Sequence, residues 1–115
     1  MENENVKVSY DAENDMFSIF KKGHKSKFSI DISLPKGDII IDVGFNGQIV
    51  GLEFFNASDY IPLLKNIGDE KVNAKMSVQY GKDWAEIYYE ISIPGKPIVS
   101  NRIISPYNKQ LILEN

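Results

Sequence analysis

The chain has 115 residues, 43% hydrophobic and 25% charged, with a formal net charge of −3 and no cysteine. That is about one domain with a core it can bury unaided, and it excludes a disordered or fibrous chain, a disulfide framework and a thiolate metal site. The weak negative charge argues against nucleic acid, while the acidic start Met1-Glu2-Asn3-Glu4-Asn5 and the lack of a membrane-length apolar run predict a cytoplasmic protein without membrane contact.

Val6, Val8 and Tyr10 alternate with polar residues, the period of a half-buried strand. The turn Asp11-Ala12-Glu13-Asn14-Asp15 leads to a second short run, Met16 to Phe20. A basic loop, Lys21 to Lys27, follows; then Phe28, Ile30, Ile32 and Leu34 alternate with polar residues, and Pro35-Lys36-Gly37-Asp38 reverses the chain.

The central stretch Ile39 to Ser58 reads as a β-hairpin feeding a helix start. Asn46-Gly47 suits a two-residue type I′ turn, which would place Phe45 opposite Gln48, Val43 opposite Val50, Ile41 opposite Leu52 and Ile39 opposite Phe54. The other face would carry Ile40, Asp42, Gly44, Ile49, Gly51 and Glu53. Ser58 is the expected N-cap of a helix of two or three turns around residues 59–67, stopped by Gly68, with Pro62 in its first turn or so.

Strands return after that. Val72, Ala74, Met76, Val78 and Tyr80 share one face; Gly81-Lys82-Asp83 turns the chain; Ala85, Ile87, Tyr89, Ile91 and Ile93 form a second apolar face. A weaker strand, Ile98 to Ile104, and a tail strand, Leu111 to Leu113, complete the reading. The predicted class is α+β, a mainly antiparallel sheet built of hairpins with one short helix, in a single domain over 1–115.

Several residues carry a resemblance. Tyr10-Asp11-Ala12-Glu13-Asn14-Asp15, then Ile41-Asp42, Asn46-Gly47-Gln48-Ile49-Val50-Gly51-Leu52-Glu53-Phe54 and Ala57-Ser58 resemble the family catalogued as domain of unknown function 2283. The likeness covers about residues 6–62 and leaves a β-rich extension over 63–115. Ser18, Phe45 and Asn56 depart from the family's usual tyrosine, polar residue and aspartate. The resemblance implies a small β-rich fold, no established activity, and at most an antitoxin-like role beside a small toxin-like partner.

Which residues could carry chemistry? Asp11, Glu13 and Asp15 are carboxylates at alternate positions, a spacing that can cup a hard cation. They lack the glycine and distant glutamate of a calcium loop, so a capped turn with Tyr10 packed inward is expected, and no metal. Asp42 and Glu53 would lie diagonally on the hairpin's less apolar face, about 7–8 Å apart, marking a contact surface that Gly44 and Gly51 let another chain approach. Trp84 and Tyr88 share a strand face with Glu86 and Glu90, and with Tyr107 they are candidate interface anchors. His24 is the single histidine, in the basic loop; with no cysteine, no nucleophile elbow and no phosphate or dinucleotide loop, neither an enzyme nor a cofactor is expected.

One short helix cannot cover a sheet with apolar residues such as Phe20, Ile40, Ile49 and Trp84 on its minority faces, so self-association is expected, most simply as a dimer. The reading is thus a non-catalytic interaction module that binds itself or a small protein. The alternatives are an antitoxin-like partner of a small basic toxin and, third, a divalent-metal-binding protein or enzyme using the acidic residues.

Overall fold

Eight strands form two antiparallel sheets in the computed structural model, which describes residues 6–108. The first sheet contains β1 (Val6–Asp11), β2 (Met16–Lys21), β3 (Ser26–Ile32), β4 (Ile39–Gly44) and β5 (Ile49–Phe55), in the order β1-β2-β5-β4-β3. The second contains β6 (Asn73–Tyr80), β7 (Trp84–Ser92) and β8 (Val99–Pro106), in that order. The expected alternation is the reason: along β7 every second residue from Ala85 is buried, and β6 buries Met76 while exposing Lys75 and Ser77.

The apolar faces of the two sheets build one core. Phe17, Ile19, Ile41, Leu52 and Phe54 from the first sheet join Met76, Ala85, Ile87, Tyr89 and Ile91 from the second. Phe54 stands at its centre, with ring centroids 6.3 Å from Phe17, 5.8 Å from Tyr60 and 5.2 Å from Tyr89, the last edge-to-face. Two tyrosines tie the second sheet to the central hairpin: Ile49 N–H donates to Tyr80 Oη at 2.8 Å, and Tyr107 O–H donates to the Gly47 carbonyl. Tyr107, a candidate interface anchor that could equally pack as a second layer, is buried in the core.

Two expectations need correction. The helix is only α1 (Ala57–Tyr60), followed by a single 3-10 turn over Pro62–Leu64, so the protein is largely β. Pro62 is the reason: its ring disfavours helical geometry at the preceding residue, and Ile61 sits at φ −129, ψ 84. The three-stranded sheet, not the helix, covers the first sheet's apolar face; of the minority-face apolar residues only Ile49 is buried, while Phe20 and Ile40 stay half-buried and Trp84 exposed.

The central hairpin also turns differently. Gly47 alone takes positive φ, at 78°, and the Gly47 N–H donates to the Gly44 carbonyl at 3.0 Å while Gly44 N–H donates to Gln48 at 2.8 Å. This is a type I turn with a glycine in the left-handed position, one residue longer than the expected loop. The extra length is absorbed as a bulge: Asp42 pairs with Gly51 and Ile41 with Leu52 as expected, but Val43 pairs with Ile49. Ile49 thereby moves from the minority face into the core, and Val50 is buried beside it. The tail strand Leu111 to Leu113 lies outside the described residues.

Candidate functional site

Because side chains alternate along a strand, the residues flanking the core positions of the first sheet point to its outer face. There Lys7 and Ser9 on β1, Ser18 and Phe20 on β2, Glu53 on β5 and Asp42 on β4 line a shallow cavity of about 410 Å³. Its floor depends on Gly51, where a Cβ would lie 2.5 Å from Phe20 Cδ1 and 3.1 Å from Asp42 Oδ2. The glycine therefore makes room for this chain's own Phe20 ring, and Gly44 for its own Val50, rather than for a visiting backbone.

Asp42 is 4% exposed and accepts a hydrogen bond from Ser29 Oγ at 2.6 Å. Glu53 shares this face with Asp42, whose carboxyl forms a side-chain hydrogen bond with it. That bond, then burial, then the Asp42 charge push the Glu53 carboxyl up to about 7. With its carboxyl raised to about 7, Glu53 keeps its proton below that pH. Chemically it can keep that proton or exchange it for a cationic group. Phe20, set down as a minority-face residue, and Ser29 complete the site; their alternation was readable, but their convergence on Asp42 and Gly51 depends on strand order.

The other predicted surface residues are elsewhere. Trp84 and Tyr88 do share one strand face, but it is the outer face of the second sheet, across the core from Asp42 and Glu53. Trp84 is 42% exposed, with its indole lying where a Gly81 side chain would be. Tyr88 O–H donates to Glu90 at 3.1 Å within a carpet of ion pairs, Arg102–Glu86 at 2.8 Å and Lys75–Glu90 at 3.9 Å.

The acidic turn is structural. Asp11 Oδ1 accepts from the N–H groups of Glu13 (3.1 Å) and Asn14 (3.2 Å), and the Asn14 side-chain amide donates to Asp11 Oδ2 at 2.8 Å. Asn14's side chain and then its backbone hold Asp11 below its ordinary range. Asp15, at φ 52°, reaches across to the helix: it accepts from Tyr10 O–H at 2.7 Å, Ser58 N–H at 3.0 Å and Ser58 O–H at 2.7 Å. Burial pushes Asp15 up, but these bonds outweigh it and its carboxyl stays below the usual range. Burial first and then Asp15 raise Tyr10 to about 12. Ser58 is thus not the N-cap; Asn56 holds that position without a side-chain cap bond, its Nδ2 donating instead to the Lys36 carbonyl at 2.9 Å, and Asp15 caps from 43 residues away. The Glu13 side chain is exposed, Asn46 Oδ1 accepts from Gln48 N–H at 3.0 Å, and Gly47 supplies the turn. Among the described residues, no group of three or more His, Cys, Asp or Glu is placed to hold a metal ion.

Fold and site together define a small β-sandwich with an acid-floored concave outer face. Residues 7–58 match the family described as "Protein of unknown function (DUF2283)", so this part of the chain is similar to that family. The match takes in almost all of the five-stranded sheet and ends in α1, while the three-stranded sheet lies beyond it. An uncharacterised protein of Methanocaldococcus jannaschii is 45% identical over 67 residues, covering 54% of this chain and 54% of that protein, so the likeness spans about half of each. No solved structure matches the chain. No helix among the described residues is long and apolar enough to cross a membrane.

Proposed function

We propose that the protein is a non-catalytic interaction module whose contact face is the outer face of the five-stranded sheet, with the Asp42–Glu53 pair receiving a lysine or arginine side chain of a protein partner. The observation that supports this reading is the pair itself: two carboxyl groups lining one cavity whose one cation among the described residues is the exposed Lys7. An incoming ammonium or guanidinium would take the place of the Glu53 proton, so binding should strengthen as pH rises through about 7. The test is capture of the tagged chain's partner at pH 6 and pH 8, with light scattering on the eluted complex. A stoichiometric basic partner that binds more tightly at pH 8, and is lost with Asp42→Asn combined with Glu53→Gln, is expected. Capture of the chain alone, with the same mass for wild type and the double variant, would remove this reading and leave self-association through other surfaces.

A further inference from the structure

The edge strands β1 and β6 meet along one side of the sandwich, and a second cavity of about 380 Å³ opens there. Lys7, Lys22 and Lys71 line it, together with Asn73. The lysines come from three separate pieces of chain: Lys7 from β1, Lys22 from the β2–β3 loop, Lys71 from the segment leading into β6. All three are exposed, and none forms an ion pair among the described residues. Among the described residues no acidic side chain lines the cavity, in a chain whose net charge is −3. Gathering three ammonium groups without a counter-charge costs mutual repulsion, which an anion would relieve.

The rest of the lining suits an anion as well. Edge strands carry outward N–H groups, and β1 and β6, each with a strand on one side only among the described residues, both border the cavity beside the Asn73 carboxamide. Lysine binds phosphate as a point charge, and a cavity of this size falls within the small-molecule range of roughly 300–1,000 Å³. We infer that the Lys7–Lys22–Lys71 cavity binds the phosphate groups of a small phosphorylated molecule. This site is separate from the acid-floored face: Lys7 borders both cavities, while Lys22 and Lys71 do not line the acid-floored one, and Lys71 also borders a neighbouring cavity beside Glu70.

The test is a titration of the full chain with inorganic pyrophosphate and, in parallel, with ATP, followed by amide chemical shifts against a sodium chloride control at equal ionic strength. Saturable shifts confined to residues 6–8, 22 and 71–74 are expected. Lys22→Ala and Lys71→Ala should each weaken binding about tenfold, the scale of one charge-assisted hydrogen bond, whereas Lys36→Ala should leave it unchanged. The substituted lysines are exposed, so an unchanged melting temperature verifies that the variants stay folded. Tighter binding of ATP than of pyrophosphate would identify a nucleotide; equal binding would identify the anion alone. The inference is overturned if no saturation occurs by a concentration on the order of 10 mM, if chloride reproduces the shifts, or if Lys22→Ala and Lys71→Ala bind like wild type. Tighter binding of a short single-stranded oligonucleotide than of either small probe would also overturn it.

Discussion

The two outer faces of this sandwich treat their carboxylates in opposite ways. On the second sheet Glu86 and Glu90 each meet a cation, Arg102 at 2.8 Å and Lys75 at 3.9 Å, so the face neutralises itself. On the first sheet Asp42 and Glu53 meet each other, with a serine and a phenylalanine around them. A surface whose charges are already paired has little to offer a charged partner. An acid pair whose members meet each other, with only the exposed Lys7 beside them among the described residues, leaves a cationic partner something to bind. The comparison teaches that residue type alone, two glutamates in one case and an aspartate with a glutamate in the other, says little until the cross-strand neighbours are known.

Both faces hang on one core, and the largest expected effect breaks them together. Phe54→Ala should cost about 3–5 kcal/mol, because Phe54 joins Phe17, Tyr60 and Tyr89. Thermal unfolding followed by tryptophan fluorescence, which reports Trp84 on the second sheet, should shift together with far-ultraviolet circular dichroism. Separate transitions would show that the sheets stand independently.

Next in size is the anchor that only the first sheet possesses. Asp15→Asn removes the charge that accepts from Tyr10 and Ser58 and should cost about 1–3 kcal/mol in denaturant unfolding. An equal loss from Ser58→Ala alone would place the contribution in the hydroxyl rather than in the charge.

A third prediction sharpens the contrast through pH. The folded-state value of Glu53 lies above its ordinary 4.5, at about 7, so the folded protein binds the proton more tightly than the unfolded chain. The resulting stability is fully present below about 4.5 and is lost as pH rises through about 7. Allowing for solvent screening of a partly exposed group, the change is about 1 kcal/mol. Glu53→Gln should flatten this part of the stability–pH curve, and an unchanged slope in the variant would show that Asp42 does not share a proton with it. The smallest effect belongs to the self-neutralised face. Arg102→Ala should cost about 0.2–1 kcal/mol, and the loss should shrink in high salt.

Much of the local structure was legible. The alternation in Val6 to Tyr10, in Val72 to Tyr80 and in Ala85 to Ile93 places the right residues inward, because a strand's side-chain period is two whatever it packs against. The register of Ile39 with Phe54 and Ile41 with Leu52 was equally readable from the hairpin. The turn was read one residue short, since Asn-Gly serves both a two-residue loop and the end of a three-residue one, and only the bulge at Val50 tells them apart. The overlong helix reading gave too little weight to the constraint that Pro62 sets on Ile61.

The candidate site was half legible. Asp42 and Glu53 were selected as a pair, but sequence spacing could not say that Phe20 would lie over Gly51, or that Ser29 would reach Asp42 from a strand that is not Glu53's neighbour. Trp84 and Tyr88 were assigned to the right strand face, yet nothing local reveals that this face lies across the core from the acid pair. The sequence by itself determined which residues form strands, which side of each strand is apolar and where the chain turns, since these follow from backbone sterics and short-range periodicity. Tertiary structure alone decided that three strands rather than a helix close the core, that Asp15 caps a helix 43 residues away, and that three distant lysines converge at the seam between the sheets. Those outcomes depend on strand order and on the packing of one sheet over another, which bring together residues that have no fixed spacing along the chain.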